Sequence, residues 1–333
     1  MNPFQLTRQL VDIPSTSGEE KAVAEFLFQY LSEMGAAAQL EEAEPDRPNV
    51  FACWGRPQVV LSTHTDTVPP FFPSREDERF IYGRGACDAK GILAAQVEAA
   101  ARLRAEGVGD FGLLFLVGEE RNSAGALAAN RAPRGSQFLI NGEPTGNRLA
   151  LGTKGVLRLE VEAQGRAAHS AYPELGESAT EKLLEALNRL RRVALPEDPV
   201  LGKTTYNIGI LQGGVASNVI PDSARAEVMF RSVQPGDELL RAVTEAVGSL
   251  ATVRQVLEMP PVKLSTIEGM ETTVVAFATD IPALTAWGQP YLIGPGSIQV
   301  AHTDKERIAK AELMQAVEIY VNMVKHLKRC VVE

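Results

Sequence analysis

The hydrophobic patterning of this 333-residue chain predicts an open α/β domain interrupted by an inserted α+β domain. Three observations carry that reading. Short apolar runs alternate with amphipathic helical stretches over roughly the first 150 residues. From Val156 to Leu257 the order changes to strand–helix–strand–strand–helix–strand, the ferredoxin-like pattern. After that the first style returns and ends in a long helix. The boundaries expected are 1–154 with 266–333 for the main domain and 155–265 for the insert.

In chain order, Leu6 to Ile13 has helical spacing and stops at Pro14. Ser17 and Glu20 read as a capping box for the next helix, which carries Val23, Phe26, Leu27, Tyr30 and Leu31 on one face. Residues 38–42, 49–54 and 58–63 read as strands, the last delivering His64-Thr65-Asp66. Gly83 to Asp88 is a glycine-bearing turn before an Ala-rich helix over 89–105. Phe111 to Val117 is a short apolar run, hence a buried strand, and ends at Gly118-Glu119-Glu120. Phe138 to Asn141 is another, ending at Glu143-Pro144-Thr145. In the insert, 156–161, 204–211, 224–230 and 253–257 read as strands, and 177–193 and 237–247 as helices. Strands over 274–278 and 291–293, then a helix over 305–328, complete the chain.

Composition narrows the classes. With 45% hydrophobic and 23% charged residues the chain buries a full core. Its formal charge of −9 and the lack of a basic run argue against nucleic acid. Three cysteines without a C-x-x-C fit a reducing cytoplasm better than a disulfide scaffold. No apolar run reaches the roughly 20 residues of a membrane helix, and the N-terminus has no signal-peptide pattern.

The candidate chemistry gathers at strand ends, where open α/β sheets build their sites. Two adjacent carboxylates at the mouth of a buried strand repel and lose hydration, so Glu119 and Glu120 ask for positive charge beside them. His64 and Asp66, two apart on a strand, face one side. His64 can ligate a metal while Asp66 receives the other ring N–H. Asp88 reads either as an N-cap or as a carboxylate bridging two metals. Glu143 reads as a turn or a ligand, and His302 as a surface residue or a ligand. Together His, Asp, Glu, Glu and His give mixed N/O ligation, which suits Zn2+, with Co2+ or Mn2+ served by the same donors. Glu120 would ligate, while Glu119 would move a proton between water and a leaving amine. In the insert, His169, Asn218 and Arg231 are each either surface residues or substrate contacts.

The order His64-x-Asp66, Gly83-Arg84-Gly85-x-x-Asp88-x-Lys90-Gly91, Glu119-Glu120, Glu143-Pro144-Thr145, Gly165-x-x-x-His169-Ser170, Asn218-x-Ile220-Pro221 and Ala301-His302 resembles the acetylornithine deacetylase / succinyl-diaminopimelate desuccinylase family. These are co-catalytic zinc amidohydrolases. The resemblance spans essentially the whole chain. It implies a zinc-peptidase-like catalytic domain with an inserted dimerisation (lid) domain, and a cytoplasmic homodimer. It implies one or two Zn2+, with His64 and Glu143 on one metal, Glu120 and His302 on the other, and Asp88 bridging. It implies Glu119 as general acid/base, Asp66 behind His64, and His169 at the oxyanion. Asn218, Arg231, Gly294 and Gly296 fall at substrate-side positions. The expected substrate is an N-acyl amino acid, N-acetylornithine first. Desuccinylation, hydrolysis of a carrier-protein conjugate and small-peptide hydrolysis are rival enzyme readings. A metal- or amino-acid-binding protein is the non-enzyme reading, against which retention of Glu119 speaks.

Overall fold

The computed structural model of the chain describes residues 2–331. It divides into two compact units. One comprises Met1–Leu151, Leu264–Thr273 and Thr279–Glu333, the other Gly152–Lys263 and Val274–Ala278. The crossover back to the first unit therefore falls in two steps, and Val274–Ala278 packs with the second unit rather than the first.

In the first unit, helix α1 (Pro3–Asp12) starts with a reciprocal cap between Asn2 and Gln5 and with Pro3 in its first turn. Helix α2 (Lys21–Glu33) lacks the capping box expected from Ser17 and Glu20. Both side chains are engaged elsewhere: the Ser17 hydroxyl donates to Asp66 Oδ2 at 2.5 Å, and Glu20 pairs with the buried Arg47. Strands β1 (Ala37–Glu44), β2 (Arg47–Trp54), β3 (Val59–His64) and β4 (Phe80–Tyr82) follow. Helix α3 (Lys90–Ala105) begins after Ala89, so Asp88 is not its N-cap. Strand β5 (Phe111–Leu116), helix α4 (Ala124–Asn130) and strand β6 (Phe138–Asn141) complete this stretch.

The second unit contains β7 (Gly155–Gln164), α5 (Ala179–Leu190), β8 (Thr205–Gly213), β9 (Ser223–Ser232), α6 (Gly236–Val247) and β10 (Thr252–Met259). Its four strands form an antiparallel sheet in the order β8-β9-β7-β10. That is the ferredoxin-like order, with two long crossovers made by the helices. Alternate residues Leu157, Leu159, Val161, Ala226, Val228 and Phe230 bury one sheet face against both helices.

Returning to the first unit, β11 (Gln289–Leu292), β12 (Arg307–Ala309) and α7 (Lys310–Cys330) end the chain. Helix α7 starts five residues later than its spacing predicts. Arg307–Ala309 is drawn into antiparallel pairing with β4 instead. The main sheet runs β1-β2-β5-β3-β6-β11, with β5, β3, β6 and β11 parallel. Val50, Leu61, Leu113 and Phe115 pack on one face with residues of α1, α3 and α7, while Phe51, Val60, Leu114 and Leu139 pack on the other with Ala126 and Trp287. Burial on both faces is why β3 and β5 are continuous apolar runs. Among the described residues no helix is long and apolar enough to cross a membrane.

Candidate metal centre

The parallel strands β3, β5 and β6 end side by side, and each releases a candidate ligand at its carboxyl end. Strand β3 ends at His64 itself, and Thr65 N–H continues the register onto Leu116 O at 2.8 Å. After β5 the chain turns through Gly118, whose φ is +78° and whose missing Cβ leaves room for Arg47 Nη2, 2.8 Å from where that atom would lie. The turn presents Glu119 and Glu120. After β6, Gly142 N–H donates to Ser62 O at 2.7 Å, which fixes the chain just before Glu143.

Two groups of side chains gather there, His64 with Asp88 and Glu143, and Glu120 with Asp88 and His302. Within each group the donor atoms lie within 4.8 Å of one another, and Asp88 belongs to both. His64 Nε2 is 2.9 Å from Asp88 Oδ1; His302 Nε2 is 3.3 Å from Asp88 Oδ2 and 2.8 Å from Glu120 Oε1. Tetrahedral donors at bond lengths of about 2.05 Å stand roughly 3.3 Å apart, so these spacings are close to those of one shared coordination sphere on each side of Asp88. Glu143 Oε1 is buried without a hydrogen-bond partner. An orphaned carboxylate oxygen facing an imidazole and a second carboxylate is what a divalent cation would satisfy. The donor set thus fits the metals that the sequence suggests.

Electrostatics support the same fit. Burial pushes Glu119 and Glu143 well above the usual carboxylate range, and the charge of Glu143 pushes Glu119 further. Burial also raises Glu120, against the pull of His302. Hydrogen bonds to Asp88 and Glu120 hold the His302 imidazolium up to about 10, and those to Asp66 and Asp88 raise His64 against the downward pull of burial. The cluster carries more acid than its two histidines neutralise.

Asp66 sits differently from expectation. His64 Nδ1 is 3.0 Å from the Asp66 backbone carbonyl, with the carboxylate Oδ1 further off at 3.4 Å. The carbonyl sets the tautomer that leaves Nε2 toward Asp88 and Glu143. The carboxylate itself accepts the backbone N–H of Glu119 at 3.1 Å and of Glu120 at 3.2 Å. It therefore braces the Glu pair as well as His64.

Two residues without a sequence-assigned role join the site. Buried Glu306 accepts from Gly85 N–H at 2.9 Å, Asp88 N–H at 3.2 Å and Cys87 N–H at 3.3 Å through Oε1, while Oε2 takes Arg84 Nη1 at 2.6 Å. The loop carrying Asp88 is wrapped around this one carboxylate. Its position four residues after His302 was the only signal in the sequence. Asp280 is buried, neither of its oxygens has a hydrogen-bond partner, and burial pushes its carboxyl up to about 7. A Thr-Asp pair after a short strand gives no hint of this.

The remaining sequence candidates fall elsewhere. Gly294 and Gly296 lie in the first unit close to the ligand-bearing loops: a Cβ on Gly294 would lie 2.5 Å from Glu143 O, and one on Gly296 2.6 Å from Cys87 Sγ. Cys87 is buried and its thiol is raised by burial, as a packed side chain would be. His169, Asn218 and Arg231 belong to the second unit. There Ala168–His169 pairs with Val219–Ile220, and Ser170 N–H donates to Asn218 O at 3.0 Å. Arg231 lies near the end of β9.

Comparison with known proteins gives a consistent result. A peptidase M20 domain-containing protein of Schizosaccharomyces pombe is 40% identical over 337 residues, covering 97% of this chain and 84% of the relative. A probable carboxypeptidase of Aspergillus clavatus is 39% identical over 364 residues, covering 95% of this chain and 80% of the relative. The fold matches that of a Staphylococcus aureus tripeptidase with a TM-score of 0.84 at 22% identity, over 98% of both chains. It also matches that of a Bacillus subtilis protein described as a dinuclear metal-binding peptidase, with a TM-score of 0.72 at 16% identity over 98% of both chains. Residues 60–326 match the sequence profile of peptidase family M20/M25/M40, and the chain belongs to that family of hydrolases.

Proposed function

We propose that the protein is a metal-dependent carboxypeptidase-type hydrolase that cleaves the amide bond to a C-terminal amino acid, in short peptides or N-acyl amino acids. The observation that carries this is the pair of ligand groups sharing Asp88, with Glu119 held on the same turn as the ligand Glu120. His64 and Glu143 would hold one ion, Glu120 and His302 the other, with Asp88 between; Zn2+ is the first choice, and Co2+ or Mn2+ suit the same donors. Bound there, the ions supply Lewis acidity toward the scissile carbonyl and acidify water.

The chain's own residues do the proton work. Glu119 takes a proton from the attacking water and gives it to the departing amine nitrogen, so the C–N bond breaks as a neutral amine leaves. Its upward-shifted pKa suits a group that must both accept and return a proton. Asp66 holds Glu119 by its backbone N–H and His64 by its carbonyl. His169 at the oxyanion, and Asn218, Arg231, Gly294 and Gly296 on the substrate side, complete the reading. The names carried by the relatives favour a peptidase; N-acetylornithine, an amide of the same class, is the narrower choice that the sequence resemblance suggests.

We also propose that the second unit dimerises and acts as the lid. Strand β8 is a sheet edge with Ile210 and Leu211 exposed, and an exposed apolar edge is a template for pairing. Light scattering of the purified protein at micromolar concentration should give twice the chain mass; a monomer would remove this part.

The function is tested with zinc-loaded protein on dipeptides, tripeptides, N-acetylornithine and other N-acetyl amino acids, with and without chelator. Chelator-sensitive turnover is expected. Glu119→Gln should bind zinc normally and lose roughly 10²–10⁴-fold in kcat. Normal turnover by that variant would refute the role of Glu119. Normal turnover in excess chelator would refute the metal reading.

A further inference from the structure

The segment between α1 and α2 runs alongside residues 65–67 and is stitched to them. Thr67 N–H donates to Ser15 O at 3.0 Å, and Ser17 N–H donates to Thr67 O at 3.2 Å. Buried Ser15 donates its hydroxyl to Thr65 O at 2.7 Å, and the buried Lys90 ammonium donates to Ile13 O at 2.6 Å. The backbone on both sides of Asp66 is thereby fixed, and so is the place of Ser17 opposite it. What stays free is the rotation of the Asp66 carboxylate about its own side-chain bonds.

Three donors set that rotation. Glu119 N–H meets Oδ1 at 3.1 Å, Glu120 N–H meets Oδ2 at 3.2 Å, and the Ser17 hydroxyl meets the same Oδ2 at 2.5 Å. The hydroxyl contact is the shortest of the three, as a charge-assisted O–H···O bond is. His64 Nδ1 stands between two acceptors, the Asp66 carbonyl at 3.0 Å and Oδ1 at 3.4 Å. A carboxylate is the stronger acceptor of the two. The imidazole takes the carbonyl because the carboxylate is held elsewhere. Two of the groups that hold it are backbone; the third is the side chain of Ser17.

We infer that Ser17 is a positioning residue, whose hydroxyl keeps the Asp66 carboxylate on the N–H groups of Glu119 and Glu120 and off His64 Nδ1. It acts on the reaction through Asp66. Without the hydroxyl, Oδ2 keeps only the Glu120 N–H. The carboxylate then turns until Oδ1 closes on His64 Nδ1 and leaves the Glu119 N–H. The turn that carries Glu119 loosens, while His64 gains a carboxylate acceptor that makes its other nitrogen a more basic ligand. Turnover falls and metal binding does not, a split that plain loosening of the fold would not produce. The effect on turnover rests on the hydrolase reading; the seating of the carboxylate does not depend on it.

The test compares Ser17→Ala and Ser17→Thr with the wild type, all as full-length protein. Zinc affinity is read by competition with a chromophoric chelator. Kinetics are read on the most readily cleaved member of a panel of dipeptides and N-acetyl amino acids. Proton NMR of the zinc-loaded protein reads the imidazole N–H groups. Ser17→Ala should lose roughly 10- to 100-fold in kcat with KM nearly unchanged. It should bind zinc as tightly as the wild type or up to about tenfold more tightly. One imidazole N–H resonance should move downfield, as a carboxylate acceptor makes it do. Ser17→Thr keeps the hydroxyl and should restore both kcat and the resonance. An unchanged kcat in Ser17→Ala overturns the inference. So does a zinc affinity that falls in step with kcat, or an imidazole resonance that stays in place. If Ser17→Ala fails to fold in chelator melts, Ser17→Thr decides: a protein that melts as the wild type does yet turns over as slowly as predicted for Ser17→Ala overturns the inference, and wild-type kcat and resonance support it. Absence of turnover in all three proteins sinks the hydrolase reading, and the resonance and the zinc affinity still decide where the carboxylate sits.

Discussion

Replacing Glu306 by Gln tests how the loop that carries Asp88 is held. The Arg84–Glu306 pair is almost wholly buried, with side-chain exposures of 3% and 0%. Removing one member of a buried pair leaves the other charge uncompensated and costs about 3–5 kcal/mol. Two contacts soften the loss: Arg84 Nε donates to Pro70 O at 3.2 Å, and its guanidinium lies 4.9 Å from the centre of the Phe72 ring. The low end, about 3 kcal/mol, is therefore expected. For a folding unit of this size that is a fall in Tm of roughly 6–12 °C. The glutamine amide oxygen can still accept from the N–H groups of Gly85, Cys87 and Asp88, but its NH2 faces Arg84 and rotates the group away. Asp88 then loses its fixed orientation, and zinc affinity falls roughly 10- to 100-fold, the usual cost of disturbing a ligand's support. The assay is a thermal melt in chelator, to read folding alone, followed by competition against a chromophoric chelator. Adding Arg84→Met removes the unpaired charge and should restore most of the Tm. A Glu306→Gln protein that melts within 1 °C of wild type and binds zinc equally well would refute the argument that this carboxylate organises the loop.

Other outcomes follow from the same geometry. Cation uptake requires His302 to lose the proton that Asp88 and Glu120 hold up to about 10, and His64, also raised, to lose its own; zinc affinity measured at pH 6, 7 and 8 should therefore rise by at least a decade per unit, and a flat profile would contradict those ligands. The sign reverses for the metal-free fold. A histidine raised from about 6.5 stabilises fully below that value and loses its contribution as pH climbs toward 10, so apo melts should soften from pH 7 to pH 9. Asp66→Asn keeps the shape but weakens the acceptor for the Glu119 and Glu120 N–H groups; kcat should drop roughly 10- to 100-fold, and an unchanged kcat would reduce Asp66 to packing. Gly142→Ala should destabilise by about 1–3 kcal/mol in chelator melts, because its Cβ would lie 2.4 Å from Ile92 Cγ2 and 2.6 Å from Gln96 Nε2; an unaltered melt would mean that the β6 end yields freely.

Much of this protein was written locally. Apolar runs too short for helices marked β3, β5 and β6, because strands buried on both faces cannot alternate. The strand–helix order around residues 155–265 marked the second unit, since each period of 2 or 3.6 is a local property of the chain. His64, Asp88, Glu120, Glu143 and His302, whose side chains the fold gathers into two groups that could hold a metal ion, stood out in the sequence through their order and the strand ends near most of them.

Tertiary structure decided what depends on competition between distant partners. Ser17 is no cap of α2 because that helix starts only at Lys21, and its hydroxyl instead donates to Asp66, 49 positions away. Residues 307–309 leave the helical pattern of α7 because β4 supplies open ladder groups. The partners of Glu306 and the isolation of Asp280 have no counterpart in the local sequence, because a charge reads the same there whether water, a backbone loop or nothing at all lies opposite it. Burial and partnership are properties of the folded pair, and they made an ordinary surface-looking Glu306 the carboxylate around which the Asp88 loop is wrapped.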